Sequence, residues 1–317
     1  MTTTRPDPSF WSERRVAITG GGGFLGSVVA RRAAELGAEV KVIRSGEFDL
    51  LDPEAARRAL DGAQLVINLA ANVGGIGYNR KNPAPLLRDN VLMAINVFDA
   101  AIAAGTEKLV TAGSVCAYPK FTDVPFREDD IWNGYPEETN APYGIAKRVA
   151  QELTDTYHRQ YGLDAVMPIL ANLYGPGDDF DLEDSHVIPA LVRKFSDAAD
   201  AGADSVQLWG TGTASREFLY VEDAARALLL AAEHLESTEP VNVGTGTETT
   251  IRDLAEMIRN LTGFSGAIEW EPSQPDGQPK RSLEVSRARD LFGFESEIGL
   301  ADGLAETVAY WRNRPTA

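Results

Sequence analysis

Cysteine is nearly missing from this chain: Cys116 is the only one in 317 residues. An intramolecular disulfide and a cysteine-rich metal site are therefore excluded. Histidine is almost as scarce, with His158, His186 and His234 the full complement. Long apolar runs are missing too. No stretch reaches the roughly 18 consecutive apolar residues that a membrane-spanning helix needs. The opening Met1-Thr2-Thr3-Thr4-Arg5-Pro6 lacks the apolar core of a signal peptide, so the expected location is cytoplasmic. Positive charge is in deficit, since 30 Lys and Arg face 47 Asp and Glu and leave a formal net charge of −17. That balance argues against a nucleic-acid partner. An anionic ligand would have to be held by local Arg and Lys working against the global field. No internal repeat or low-complexity tract is present.

The length suits one large α/β unit with a second lobe. Arg15-Val16-Ala17-Ile18-Thr19 reads as a short buried strand and runs straight into Gly20-Gly21-Gly22-Gly23-Phe24-Leu25-Gly26. A helix is expected from Ser27 to about Leu36. Strand, glycine turn and helix form the context of a dinucleotide-binding fingerprint. Glycines let the backbone approach a pyrophosphate, and the helix N-terminus adds free N–H groups and positive potential. Two registers fit: Gly21-x-Gly23-x-x-Gly26 and Gly20-x-x-Gly23-x-x-Gly26. A second strand, Glu39 to Ile43, ends at Arg44. An Arg there suits the 2′-phosphate of NADP, which makes NADP the first choice. NAD is the second, with Glu47 or Asp49 on the ribose.

A helix over Pro53–Leu60 follows, then a buried strand, Leu65 to Ala71, whose small last residues would let a cofactor lie against Leu69, Ala70 and Ala71. Next come a glycine-rich loop (Val73 to Gly77), a long helix (about Pro85 to Ala104), and strand Lys108–Thr111 leading into Gly113-Ser114-Val115-Cys116. This alternation implies an open, doubly wound parallel sheet with right-handed crossovers.

Tyr143-Gly144-Ile145-Ala146-Lys147 lies near the start of a helix that Gly162 ends. Positions i and i+4 share a helix face, so a phenol and an ammonium sit side by side. The expectation is that the cation pulls the tyrosine pKa down and fits it to exchange a proton near neutral pH. After strand Ala165–Leu170 and the turn from Asn172 the alternation breaks. A helix starts near His186, and the expected pieces thereafter are strands at 206–209, 216–220 and 241–243, helices at 222–235 and 251–262, and a Pro-rich loop at 271–280. We read residues 1–172 as a Rossmann-type domain with returns at about 214–246. Residues 173–213 and 247–317 are read as an interleaved substrate lobe.

These residues together resemble the extended short-chain dehydrogenase/reductases, the NAD(P)-dependent nucleotide-sugar epimerases and dehydratases. Gly20-x-x-Gly23-x-x-Gly26, Leu69-Ala70-Ala71, Ser114 and Tyr143-x-x-x-Lys147 stand in that family's order. The GDP-L-fucose synthase branch, which epimerises GDP-4-keto-6-deoxymannose at C3 and C5 and reduces it at C4, is most similar. That likeness rests on Val73–Ile76, Gly113–Pro119, Asn172–Pro176, Ser185–Ala190, Trp209–Thr213 with Arg216-Glu217-Phe218, and Pro275–Pro279. The resemblance implies that Ser114, Tyr143 and Lys147 form a reduction triad. It makes Cys116 and His186 the epimerisation acid and base, and puts Asn172 and His186 beside the cofactor. Lys194, Trp209, Arg216, Lys280 and Arg281 would grip a nucleotide-diphosphate sugar. A homodimer packed through the helices near Pro85–Ala104 and Tyr143–Tyr161 is implied as well, and no metal. Two departures matter. Gly21-Gly22 stands where close relatives carry a basic residue. Lys120–Glu138 differs from the usual sequence and leaves a GDP-heptose or another GDP-sugar open. A redox-neutral NAD-dependent epimerase and a non-catalytic dinucleotide sensor are the alternative readings.

Overall fold

In a computed structural model, residues 4–182, 185–273 and 278–314 are described. Of the motifs read from the sequence, Pro275, Asp276 and Gly277 lie outside the described residues. After α1 (Pro8–Trp11) the chain alternates through β1 (Arg15–Thr19), α2 (Phe24–Glu35), β2 (Glu39–Ile43), α3 (Pro53–Leu60) and β3 (Leu65–Asn68). It continues with α4 (Ile76–Lys81), α5 (Pro83–Ala104), β4 (Lys108–Thr111), β5 (Gly113–Ser114) and α6 (Ala141–Tyr161). Local chemistry sets several boundaries. The Asp52 carboxylate accepts the Glu54 N–H and Pro53 opens α3. Gly105 and Gly162 close α5 and α6 in the left-handed conformation, at φ 65° and 70°.

The later elements are β6 (Ala165–Val166), β7 (Pro168–Leu170), β8 (Asn172–Tyr174), α7 (Val187–Ala201), β9 (Ser205–Trp209), β10 (Ser215–Tyr220) and α8 (Val221–His234). They end with β11 (Val241–Val243), β12 (Glu248–Thr250), α9 (Ile251–Thr262), β13 (Ala267–Glu271), α10 (Ser286–Phe292) and α11 (Leu300–Asn313).

Strands β2-β1-β3-β4-β6 form a parallel sheet. Beyond Ala112 and Met167 the same two chain paths resume as β5 and β7, which pair in parallel with β11 in the order β11-β7-β5. The expected strand Ala165–Leu170 is thus broken at Met167, whose carbonyl accepts the Val241 N–H as the path changes partner. Smaller sheets, β12-β10-β8 and β13-β9, lie among the later elements. The apolar faces of the large sheet close over one core containing Val16, Ile18, Ile67, Val110 and Ile169 and another containing Ala17, Val66, Phe98 and Leu109. A separate core gathers Tyr174, Phe180, Ile188, Phe195, Leu254, Leu304 and Trp311.

A buried polar bridge aligns the C-terminal strand edges. Thr19 Oγ1 donates to Asn68 Oδ1 at 2.6 Å, and Asn68 Nδ2 donates to Thr111 Oγ1 at 3.1 Å. The N–H groups of Leu69 and Ala70 turn onto Thr19 Oγ1 at 3.1 and 3.2 Å, which is why β3 stops at Asn68 and not at the expected Ala71. Two other expectations shift. Helix α2 begins at Phe24, and Gly75 caps α4 inside the supposed glycine loop.

Candidate active site

At the end of β1 the glycines are steric requirements. Gly20 has φ +66°, and a Cβ there would sit 2.9 Å from the Ala70 nitrogen. A Cβ on Gly26 would sit 2.1 Å from the Gly20 carbonyl oxygen. Gly23 caps α2 without a side-chain hydrogen bond, so the first-turn N–H groups at Phe24, Leu25 and Gly26 have no intrahelical acceptor. This cradle fits a pyrophosphate. Arg44 follows β2, and its Nε is 3.0 Å from where a Gly22 Cβ would be. The arginine therefore lies across the glycine turn and supplies, from the second strand, the positive charge that the loop itself lacks.

The triad residues converge at the end of β5. The Ser114 hydroxyl acts on the Tyr143 phenol and favours its charged form. Lys147 lies one helical turn on, with its Nζ 5.5 Å from the centre of the Tyr143 ring and donating to the Ala112 carbonyl at 2.8 Å. The expected tuning is reversed in this geometry. Burial, reinforced by Cys116, pushes the Tyr143 phenol above its ordinary range, with only the Ser114 hydrogen bond opposing. Burial also brings the Lys147 ammonium down to about 8. The cation was expected to dominate, but a buried ammonium whose own proton is loosely held is a weak electrostatic partner, and desolvation wins.

Cys116 sits in a short 3₁₀ turn, Val115–Ala117, that follows Ser114 directly. Its N–H donates to Ser114 Oγ at 3.2 Å. Helix α6 packs on this turn at Gly144, and a Cβ there would come within 2.3 Å of the Cys116 carbonyl oxygen. The Arg281 guanidinium approaches the thiol, with Nη1 3.7 Å from Sγ.

His186 precedes α7 as its cap residue. It is exposed, yet the protein around the ring desolvates it and lowers its pKa, while Asp179 pulls the other way. Among the described residues no hydrogen bond or ion pair joins His186 to Cys116. Lys194 lies on α7, half-buried, with its pKa lowered by burial. Trp209 is 71% exposed at the end of β9, so it belongs to no core. Arg216 lies on β10 and donates to the Ser215 carbonyl at 2.6 Å. Asn172 donates its amide to the Glu217 carbonyl at 2.8 Å. The adjacent pair Lys280 and Arg281 splits: Lys280 is exposed and Arg281 is buried.

Sequence reasoning missed three contributors. Gln278 and Glu217 fix the segment that carries Arg281. The Glu217 carboxylate accepts the N–H groups of Thr245, Gly246 and Leu283 at 2.5, 2.9 and 2.7 Å. Asp178 has its carboxyl pushed up to about 7 by burial and by Asp179, and one of its oxygens is buried without a partner among the described residues. The motifs holding these residues were visible, but their partners lie far away in sequence.

Residues 16–244 match the profile of the NAD-dependent epimerase/dehydratase family. The GDP-L-fucose synthase of Escherichia coli strain K12 is 40% identical over 314 residues, covering 95% of this chain and 97% of that one. Among solved structures, the GDP-L-fucose synthetase of Naegleria fowleri bound to NADP superposes with a TM-score of 0.84 at 27% identity, over 95% of this chain and 94% of that one. A GDP-mannoheptose C4 reductase from Campylobacter jejuni with NADP bound gives 0.86 at 25% identity, over 95% and 99%. With a family profile over most of its length and relatives of about this size, the chain belongs to the NAD-dependent epimerase/dehydratase family.

Proposed function

We propose that the protein is an NADP-dependent epimerase-reductase of a GDP-linked 4-keto-6-deoxy sugar, forming GDP-L-fucose. The observation that carries this reading is one cluster of side chains. The Cys116 N–H donates to Ser114, Ser114 and Cys116 both act on the Tyr143 phenol, and Lys147 lies on the next turn. A thiol that acts on the triad tyrosine supports an epimerising role, which a plain reductase does not need.

The chemistry follows from the groups. A ketone at C4 acidifies the C–H bonds at C3 and C5. The Cys116 thiolate takes such a proton and His186 returns one to the opposite face, inverting the centre through an enolate. Ser114 and Tyr143 donate hydrogen bonds to the C4 oxygen as negative charge builds there. The raised Tyr143 pKa keeps the phenol protonated until that oxygen needs its proton. NADPH, when bound, supplies the hydride for C4. Arg44 and the turn from Gly20 to Gly26 would hold it, together with Leu69, Ala70, Ala71 and Asn172. Lys194, Trp209 and Arg216 would hold the nucleotide diphosphate, in the lobe built on the separate core. The expected homodimer is supported by α5 and α6, which pack side by side and expose Leu87, Leu92 and Tyr161.

Incubation with GDP-4-keto-6-deoxymannose and NADPH should consume NADPH and give GDP-L-fucose by NMR. An inert mixture refutes the reading. A second reading, a GDP-heptose substrate, is favoured by the segment between Cys116 and Tyr143. There Trp132 stacks on Arg148 at 5.7 Å, and Phe121 and Tyr135 are exposed. Parallel assays with a GDP-4-keto-heptose would separate the two.

A further inference from the structure

We infer that Arg281 is a positioning residue for Cys116, held so that its guanidinium stabilises the thiolate. The inference rests on the proposed role of Cys116 as a proton-transfer group. Arg281 is only 7% exposed and forms no ion pair with a carboxylate among the described residues. An arginine stays charged in any protein environment, so a buried one needs an anion. Three of its five N–H donors have a named contact. Nε and Nη2 donate to Gln278 Oε1 at 3.2 and 2.8 Å, and Nη1 is 3.7 Å from Cys116 Sγ. The polarisable sulfur is the group in that contact able to become an anion.

The support behind Arg281 is rigid. Gln278 is itself buried, and its Nε2 donates to the Lys120 carbonyl at 3.0 Å. Turning its amide over would lose all three of its bonds, so the oxygen faces Arg281. The Arg281 carbonyl accepts the Glu217 N–H at 3.1 Å, and Leu283 is bound to the Glu217 carboxylate. The guanidinium is thus anchored through the backbone on one side and through Gln278 on the other. The Lys120 contact also links the thiol to the divergent segment 120–138. Tyr143 from α6 also interacts with Cys116, and burial keeps its phenol neutral over the pH range of a thiol.

Because Cys116 is the only cysteine and is partly exposed, its state can be read without substrate. The intact, cofactor-free enzyme is treated with iodoacetamide across pH, and the adduct is followed by mass spectrometry. Arg281→Met should slow alkylation at neutral pH about tenfold relative to wild type. Arg281→Lys, which keeps the charge, should recover most of the rate. Gln278→Leu, which frees the guanidinium, should fall between wild type and Met, and it serves if Arg281→Met fails to fold. An unchanged profile in Arg281→Met, or in Gln278→Leu if only that variant folds, overturns the inference. So does a Lys variant as slow as Met, or a raised KM for the GDP-sugar with unaltered alkylation. A failure to turn over the GDP-sugar would refute the proposed function and leave this readout intact.

Discussion

Gly144 lies so close to Cys116 that a methyl group on its Cα would come within 2.3 Å of the Cys116 carbonyl oxygen. Helix α6, which carries Tyr143 and Lys147, is therefore seated on the thiol-bearing turn by a missing side chain. Gly144→Ala should force the two apart at a cost of about 1–3 kcal/mol. The expected result is a lower melting temperature together with a kcat that falls more than KM changes. Wild-type kcat in this variant would mean that the seating is unimportant.

The two half-reactions should separate genetically. Tyr143→Phe removes the proton donor and should lower reduction by roughly 10²–10⁴-fold, with NADPH affinity within a few-fold of wild type. Cys116→Ser should instead suppress solvent deuterium incorporation at C3 and C5. If exchange persists undiminished in Cys116→Ser, another base takes the proton.

Burial of Lys147 makes a prediction about stability. Its folded-state pKa of about 8 lies below the ordinary 10.5. Between those values the unfolded chain holds a proton that the folded chain has released. Stability from this group therefore rises as pH climbs from 8 towards 10.5, and below 8 the cost of the buried ammonium is fully felt. Measured by urea unfolding of the cofactor-free protein, wild type should gain on Lys147→Met by up to roughly 3 kcal/mol across that window. A difference that does not vary with pH would refute this.

Arg44 leans over Gly22, and the proposed function has it meet the 2′-phosphate of NADP there. Arg44→Ala should weaken NADPH binding by about 10–100-fold, the size of a lost charge-assisted hydrogen bond, and leave NADH nearly untouched. Titration of both dinucleotides by fluorescence checks it. Equal losses for the two would remove the phosphate from the argument.

The parts of the site that were legible in the sequence are those encoded locally. Gly20 to Gly26 follows a strand and opens a helix, and Tyr143 and Lys147 share a helix face. Each of these is a spacing rule. What stayed hidden depends on surroundings. Spacing put an ammonium beside the Tyr143 phenol but was silent on how thoroughly both would be dried, so the direction of the tyrosine shift came out opposite. Arg281 reaches Cys116 across 165 positions of chain, and no local pattern announces such a meeting. The break at Met167 was hidden for the same reason, because it depends on Val241 arriving as a new neighbour. Helix α11 lacks a strong start signal, its cap residue Gly299 making no side-chain hydrogen bond. It is held by packing, with Gly303 set against the Tyr174 ring.

The pairing of β11 with β7 has a consequence for how the molecule comes into being. The sheet that carries Ser114 on β5 is not finished until Val241–Val243 has been synthesised, and α8, from Val221–His234, must lie against α2 before that helix is covered. A nascent chain released or cleaved shortly after Asn172 would carry every glycine of the cradle and the whole Ser-Tyr-Lys set, yet would leave a raw sheet edge at Pro168–Leu170. Such a fragment should be a client for chaperones and not a miniature enzyme.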